Sequence, residues 1–309
     1  MGLPKTATTS LQHNVFQKLH DQGRINFLGK NLNYNDETGK VIVNNYTGKF
    51  IRDAAEEKIS FDEARELLLR HLDSNKLNVF SDEGIMVAYP GLANLPLKQK
   101  IANLKKVLEG HDVKVVLTLR NPVDYFYSLY VQLYPGFYSQ IKALNTFEKY
   151  TQMLFYDADN TLFESFFYDS YVPFIKKNFD LELTYFEDLS KDKVSVYKVW
   201  GSLLGLSLEE FEELFEQEHV NKKQKTDKGS KKFFSLKFIE TRARGLLIGI
   251  PFVFEIVKKV YVFFNVSMLL NKRITLNAVH KKPKGKVFDS LHKLFNAHDY
   301  KHGQYNAKP

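Results

Sequence analysis

A short apolar run at residues 113–119 does most to constrain the fold of this chain of 309 residues. It reads Val-Lys-Val-Val-Leu-Thr-Leu, and a run of this length that is rich in β-branched residues predicts a buried strand of a parallel sheet. Asn121 and Pro122 follow as the N-cap and first residue of a helix. Arg120 is therefore predicted at the carboxyl end of the strand and Ser128 two turns into the helix, at the edge where open α/β sheets bind ligands.

The opening stretch, residues 2–11, predicts a phosphate-binding loop that leads into a helix. It reads Gly-Leu-Pro-Lys-Thr-Ala-Thr-Thr-Ser-Leu, and Leu11, Val15 and Leu19 have the spacing of a buried helical stripe. A lysine, several hydroxyls and the backbone N–H groups of a helix start would surround one anion. The loop is not a Walker A motif, because no second glycine precedes Lys5. We therefore do not expect a nucleoside triphosphate to be held as it is in P-loop ATPases.

Alternating strand and helix signals along the rest of the chain predict an α/β fold. Strands are expected at 25–29, 77–81 and 181–186, and helices at 95–109, within 146–179, and after the capping boxes that begin at Ser60 and Ser207. This alternation favours a three-layer α/β/α arrangement with a central parallel sheet. Only residues 1–3 precede the phosphate loop, where this architecture needs an apolar strand, so the first strand is expected to be truncated or replaced by another segment.

Charge divides the chain near residue 218. Residues 1–218 carry 24 basic and 31 acidic side chains, a net charge of −7, whereas residues 219–309 carry 20 and 5, a net charge of +15. This basic part could lie over a polyanionic cofactor, attract an acidic acceptor or touch a membrane surface peripherally. Within it, residues 245–270 are strongly apolar but carry Glu255 and Lys258 near the middle, which predicts packed or amphipathic helices rather than a membrane span.

The complete lack of cysteine constrains both chemistry and location. It excludes disulfides and thiol catalysis and fits a reducing compartment. No apolar signal segment follows Met1. Together these features favour a cytoplasmic protein.

Three motifs in this chain resemble those of the sulfotransferases that use 3′-phosphoadenosine 5′-phosphosulfate (PAPS), of the bacterial, carbohydrate-sulfating type. The 5′-phosphosulfate loop of that family is similar to residues 4–11, and its 3′-phosphate motif, an Arg and a Ser eight residues apart around Asn-Pro-x-Asp, is similar to residues 120–128. Residues 183–189, Leu-Thr-Tyr-Phe-Glu-Asp-Leu, are similar to a third family element. Because all three occur in the family's order, the resemblance is specific.

The resemblance implies transfer of a sulfuryl group from PAPS to an acceptor hydroxyl of a carbohydrate or a glycolipid. It implies a small-molecule donor, no metal and no nucleic-acid partner. Residues 1–218 would form the PAPS-binding core, and the basic helical region 219–309 would complete or cover the cofactor site.

The resemblance also assigns roles to individual residues. Lys5 would neutralise charge on the leaving 5′-phosphate. The rest of the loop would hold that phosphate through Thr6, Ala7, Thr8, Thr9 and Ser10. Arg120 and Ser128 would grip the 3′-phosphate. Lys284, Gly285 and Lys286 are the local match to the basic loop that closes the cofactor site in the family, with Lys222 and Lys223 as competitors.

The general base is predicted at the end of the strand that precedes the Arg120 strand. Glu83 is the first candidate and Asp82 the second, since a strand end can present a carboxylate to an acceptor hydroxyl. Either carboxylate could instead cap the following turn. His13 lies away from the buried stripe of its helix and is interpreted as a surface or packing residue.

Two other classes of function stay open at this point. A nucleotide phosphotransferase would require a Walker-type loop, which is absent, and a carboxylate for Mg²⁺. A non-catalytic protein that binds polyanions or membrane surfaces would use the basic region instead.

Overall fold

The computed structural model describes residues 3–35, 40–216, 232–234, 274–276 and 283–301. The chain forms two compact units. The first comprises Met1–Phe126, Ala158–Lys223 and Lys284–Pro309, and the second comprises Tyr127–Asp157 and Gln224–Pro283. The predicted boundary at residue 218, the apolar stretch 245–270 and the lysines at 222 and 223 lie outside the described residues.

Helices and strands are interspersed along the chain. The first helix, α1, consists of Thr8–Ser10, the π-helical Leu11–Gln17 and Lys18–Asp21. It is followed in chain order by β1 (Ile25–Phe27), β2 (Lys30–Asn35), β3 (Lys40–Tyr46), α2 (Lys49–Ala55), α3 (Phe61–His71), β4 (Leu77–Val79), α4 (Leu97–Val107) and β5 (Lys114–Leu119). The remaining elements are α5 (Pro122–Leu133), α6 (Phe147–Tyr156), α7 (Tyr168–Asn178), β6 (Asp180–Tyr185), α8 (Asp188–Lys191), α9 (Lys193–Leu204), α10 (Leu208–Glu216), β7 (Lys232–Phe234), β8 (Ile274–Leu276) and α11 (Lys286–Leu294).

Two of the described strand pairs of the first unit are parallel, which confirms the predicted α/β fold. In the described part of the chain, β1 pairs with β4 and β5 with β6 in parallel, while β2 and β3 form an antiparallel hairpin. The expected central sheet is divided, however, because the two parallel pairs are separate two-stranded sheets. Residues of β4 and β5 are among those that line a cavity of about 580 Å³.

Local signals place the helices as the sequence predicts. Ser60 caps α3, since its Oγ accepts a hydrogen bond from the N–H of Glu63 at 3.1 Å. Ser207 caps α10 in the same way, through the N–H of Glu210 at 3.1 Å. Each cap satisfies one of the N–H groups that a helix start leaves without an intrahelical partner.

The apolar stripe of α1 is buried as predicted. Leu11, Val15 and Leu19 lie in one core cluster of the first unit together with side chains of α9 and α10, among them Tyr197 and Phe211. Burial of this stripe holds the helix that follows the amino-terminal loop, because an apolar helix face is stabilised by removal from water.

An aromatic cluster forms the core of the described part of the second unit. Tyr130 stacks on Tyr138, and Phe147 and Tyr150 pack beside Tyr130. The Tyr138 hydroxyl donates to that of Tyr150 at 3.3 Å, and burial raises the pKa of Tyr138 to about 12. These buried rings pack against one another as core residues.

The described carboxyl-terminal segment packs within the first unit, at the carboxyl end of β6. The ring of Phe295, just after α11, contacts Phe126 and Phe166. The Tyr300 hydroxyl donates to Glu187 at 2.6 Å, and Lys301 forms an ion pair with Asp188. No helix among the described residues has both the length and the apolar character needed to cross a membrane.

Candidate functional site

The amino-terminal loop has an unusual backbone that suits an anion. Lys5 and Ala7 have φ values of 67° and 64°, which non-glycine residues rarely adopt. Turns that include left-handed residues direct successive N–H groups into an anion-binding concavity. Ala7 precedes α1 and makes no side-chain cap, and the N–H groups of a helix start favour a negative charge.

Thr6 stabilises the loop from inside. Its side chain is buried, and its Oγ1 donates to the carbonyl of Leu3 at 2.5 Å. Leu3 is 0% exposed. The hydroxyl proton of Thr6 is thus used within the loop, whereas Thr9 and Ser10 are half-buried at the start of the helix.

Arg120 meets this loop. It follows β5, and its Nη1 donates to the carbonyl of Lys5 at 3.0 Å, while its guanidinium carbon lies 4.7 Å from the ring centre of Phe186. The Tyr168 hydroxyl donates to the Arg120 carbonyl at 2.6 Å. The structure therefore brings together the predicted loop and the predicted arginine, which are 115 residues apart in the sequence.

The start of α5 carries the predicted cap. Asn121 Oδ1 accepts from the N–H groups of Val123 at 3.1 Å and Asp124 at 3.3 Å. The N–H of Asn121 in turn donates to Glu187 at 2.8 Å, so the third family element supports the Arg120 motif. Ser128 is half-buried on α5, in the second unit.

Asp82 is a buried structural carboxylate. Its side chain pairs with Lys30 at 2.7 Å and Arg52 at 3.4 Å, accepts from the Tyr46 hydroxyl, and caps the turn Glu83–Met86 through the N–H of Gly84 at 2.8 Å. Burial by itself raises the pKa of Asp82, but the Lys30 ammonium, Tyr46 and Arg52 outweigh burial and hold that pKa below its usual value. Of the two roles considered for this carboxylate, general base or turn cap, Asp82 therefore has the second.

Gly84 allows this cluster to close. A Cβ added at Gly84 would lie 2.4 Å from Arg52 Nη1. A side chain at this position would push the Arg52 guanidinium away from Asp82. The same contacts raise the pKa of Arg52: burial lowers it, but Asp82 and Glu56 raise it by more.

Glu83 has a different environment from its neighbour. Its side chain is 27% exposed, and its two carboxylate oxygens accept from Lys30 Nζ and from Gln12 Nε2, each at 3.3 Å. Gln12 also donates to the Ser81 carbonyl at 3.2 Å. Since Gln12 belongs to α1, the carboxylate is connected directly to the helix that follows the phosphate loop.

The sequence matches the family described as the sulfotransferase domain over residues 1–237. The chain belongs to the sulfotransferase family. Its structure resembles the crystal structure of a sulfotransferase from Alicyclobacillus acidocaldarius, with a TM-score of 0.42 and 15% sequence identity; the match covers 67% of this chain and 80% of that chain. No curated protein matches the sequence. Family membership supports sulfuryl transfer as the class of reaction.

Several polar residues around Asp82 and Glu83 had no sequence signal of their own. Gln12 and Lys30 contact Glu83 across 71 and 53 residues. Tyr46 and Arg52 reach Asp82 across 36 and 30 residues. Only Lys30, which follows strand β1 closely, occupies a position where a ligand-binding residue is expected in an α/β fold.

The basic residues predicted to cover the cofactor lie at the start of α11. Lys284, Gly285 and Lys286 are exposed, and Gly285 has a φ of 59°. Their segment continues to Tyr300, which bonds Glu187, the same carboxylate that accepts from Asn121. These contacts connect the carboxyl-terminal segment, which begins with the two lysines, to the Arg120 motif.

Proposed function

We propose that this protein transfers a sulfuryl group from PAPS to a hydroxyl of a carbohydrate or glycolipid. The observation that carries the proposal is the hydrogen bond from Arg120 to the Lys5 carbonyl. It joins two elements that each suit a phosphate, and PAPS carries phosphate groups at both the 5′ and 3′ positions of its ribose. The sulfotransferase family typically uses this donor, which supports the choice.

The donor would be held by the loop and by the β5–α5 junction. Lys5 and the N–H groups at the start of α1, with the hydroxyls of Thr8, Thr9 and Ser10, bind the 5′-phosphosulfate. Thr6 and Ala7 contribute their backbone N–H groups, since the Thr6 hydroxyl already bonds Leu3. Arg120, with Ser128 as the second ligand that the family motif implies, binds the 3′-phosphate.

The basic segment at the start of α11 would cover the bound donor. Lys284 and Lys286 supply the charge, and Gly285 lets the backbone turn through a left-handed conformation. Exposed lysines of this kind attract a polyanion over long range.

The reaction needs charge stabilisation and a proton acceptor. A bond forms between the acceptor oxygen and sulfur while the bond between sulfur and the bridging phosphate oxygen breaks. Lys5 stabilises the negative charge that develops on the leaving phosphate. The proton of the acceptor hydroxyl passes to a carboxylate.

Glu83 is the carboxylate that we assign as this base. It is partly exposed, so an acceptor can reach it, and Gln12 and Lys30 orient both of its oxygens. Asp82 is unsuitable because it is 1% exposed and already holds two cations and a tyrosine.

The polar surroundings of Glu83 support an acceptor rich in hydroxyls. Lys30 lies beside the carboxylate with 17% of its side chain exposed, and Tyr89 lies near Arg52, 5.9 Å from ring centre to guanidinium carbon. Such a set of polar groups and rings suits a sugar better than an apolar phenol. The absence of cysteine supports a cytoplasmic location, and the basic carboxyl-terminal part supports peripheral contact with a membrane that carries a lipid-linked sugar.

Transfer from labelled PAPS tests the proposal. The protein is incubated with labelled PAPS and a cell extract, and the labelled product is identified by chromatography and mass spectrometry. We expect a sulfated sugar or glycolipid, and we expect Lys5→Ala to abolish labelling while Lys98→Ala, a change of an exposed lysine at the start of α4, leaves it intact. Equal labelling by the wild type and Lys5→Ala would contradict the proposal.

A further inference from the structure

The peptide group that joins Arg120 to Asn121 is held on both of its polar sides. Its carbonyl, which belongs to Arg120, accepts a hydrogen bond from the Tyr168 hydroxyl at 2.6 Å. Its N–H, which belongs to Asn121, donates to Oε1 of Glu187 at 2.8 Å. A peptide group is planar, so these two partners together fix its rotation. That rotation sets the direction in which the Arg120 side chain leaves the backbone.

Tyr300 contacts both of these partners. Its hydroxyl donates to Oε2 of Glu187 at 2.6 Å, across 113 residues of sequence. The centre of its ring lies 6.4 Å from that of Tyr168, within the range of favourable aromatic pairs. One buried side chain of the carboxyl-terminal segment therefore supports the peptide group from its carbonyl side and from its N–H side.

The Tyr300 hydroxyl also binds part of the charge of Glu187. Burial and the Glu187 carboxylate raise the pKa of Tyr300, so the hydroxyl keeps its proton and acts as the donor. A carboxylate beside a phosphate site would repel the phosphate. Here each oxygen of Glu187 accepts a hydrogen bond, one from Asn121 and one from Tyr300, and such bonds to a charged acceptor are strong.

Other contacts hold the same segment at the end of β6. Lys301 forms an ion pair with Asp188, and the Tyr185 hydroxyl donates to the Lys301 carbonyl at 3.2 Å. The rings of Tyr185 and Tyr300 meet edge to face, with their centres 5.8 Å apart. Loss of the Tyr300 hydroxyl alone would therefore leave the segment attached.

We propose that Tyr300 is a positioning residue for the donor site: through Glu187 and Tyr168 it orients the peptide group after Arg120 and so directs the guanidinium toward the 3′-phosphate. This inference rests on the proposed function, in which Arg120 binds that phosphate. It gives the carboxyl-terminal segment a second task besides the charge of Lys284 and Lys286, since the segment would also set how well the protein recognises the 3′-phosphate.

Titration with two nucleotides tests the proposal. 3′-Phosphoadenosine 5′-phosphate and adenosine 5′-monophosphate differ only in the 3′-phosphate, so the ratio of their dissociation constants measures recognition of that group. Tyr300→Phe removes the hydroxyl and keeps the ring. We expect this variant to reduce the preference for the bisphosphate by about fivefold or more and to leave the affinity for the monophosphate unchanged. An unchanged preference would overturn the inference.

Tyr197→Phe is the matched control. The Tyr197 hydroxyl also donates to a glutamate, Glu216, at 2.9 Å, but both residues lie on other helices, α9 and α10. We expect the preference for the bisphosphate in this variant to equal that of the wild type. An equal fall in Tyr197→Phe and Tyr300→Phe would show a general effect of hydroxyl loss and would overturn the inference.

A double-mutant cycle distinguishes positioning of Arg120 from a general loss of stability. If Tyr300 acts through Arg120, Tyr300→Phe should cause no further loss of preference in a chain that already carries Arg120→Ala. Additive losses would overturn the inference. The two proposals fail differently: an unchanged preference in Arg120→Ala contradicts the proposed function, whereas a preference lost in Arg120→Ala and kept in Tyr300→Phe contradicts only the role of Tyr300.

Amide hydrogen exchange, followed by NMR in the protein without nucleotide, tests the geometry independently of donor binding. We expect the Asn121 N–H to exchange faster in Tyr300→Phe than in the wild type or in Tyr197→Phe, because Glu187 is then held less firmly. Equal exchange in all three proteins would overturn the inference.

Discussion

At the scale of single residues, Asp82 and Glu83 are neighbours with separate tasks. Asp82 is surrounded by Lys30, Arg52 and Tyr46 inside the protein. Glu83 faces the polar edge beside α1 and is only partly buried. This difference leads to two predictions that can be separated by experiment.

Removal of Asp82 should destabilise the protein. Asp82→Ala leaves two half-buried cations, Lys30 and Arg52, without their shared carboxylate, and we expect a loss of roughly 2–3 kcal/mol in the free energy of unfolding. Urea denaturation measures it, with Asp62→Ala as control, since the Asp62 side chain is 95% exposed and should change stability by about 0.5 kcal/mol or less. A loss no larger than that of the control would contradict the structural role.

The same carboxylate predicts the acid dependence of stability. The folded-state pKa of Asp82 is lowered, so its contribution is fully present above the unfolded value of about 3.9 and is lost as the pH falls through the folded pKa. The free energy of unfolding should therefore fall below about pH 4 more steeply in the wild type than in Asp82→Asn. Denaturation curves between neutral and acid pH test this, and parallel slopes for the two proteins would refute it.

Replacement of Glu83 should affect catalysis and not donor binding. Glu83→Gln keeps the shape but removes the base, and we expect kcat to fall by about 10²- to 10⁴-fold. The dissociation constant of 3′-phosphoadenosine 5′-phosphate should stay unchanged. Glu66→Gln on the exposed face of α3 is the control, and an unaltered kcat in Glu83→Gln would exclude this residue as the base.

At the scale of elements, the proposed binding of the donor depends mainly on the junction between β5 and α5. Asn121 caps the helix, Glu187 accepts from its N–H, and Arg120 reaches the loop. A weaker cap at this position would loosen both the helix and the arginine before it.

Two cap substitutions of similar energetic cost can separate stability from binding. Asn121→Ala and Ser207→Ala each remove an N-cap and should each lower the free energy of unfolding by about 1 kcal/mol. Only Asn121→Ala should also weaken binding of 3′-phosphoadenosine 5′-phosphate, because Ser207 caps α10 away from the Arg120 motif. Calorimetric titration measures this difference, and equal affinities for the two variants would argue against the role of the junction.

At the scale of the whole molecule, the features predicted correctly are those with local signals. The strand at 113–119, the caps at Ser60 and Asn121, and the buried stripe of α1 each depend on neighbours a few residues apart. Strand lengths were less accurate, since the predicted strand 77–81 extends only over Leu77–Val79, where the chain turns into the Asp82 cap.

Contacts between distant segments could not be read from the sequence. The bond from Gln12 to Glu83 depends on how α1 packs against the end of β4. The role of Asp82 depends on cations from β2 and α2. The division of the sheet into two separate parallel pairs likewise has no local signal in either strand.

We propose above all that the amino-terminal loop and the β5–α5 junction bind the two phosphate ends of an adenosine 3′,5′-bisphosphate. Calorimetric titration of the wild type, Arg120→Ala and Arg70→Ala with 3′-phosphoadenosine 5′-phosphate and with ATP tests it most directly. Arg70 is an exposed arginine that pairs only with Glu66 among the described residues. We predict tighter binding of the bisphosphate than of ATP, and a loss of roughly tenfold to 100-fold in Arg120→Ala alone. Equal affinity for the two nucleotides, or an unchanged affinity in Arg120→Ala, would contradict the account.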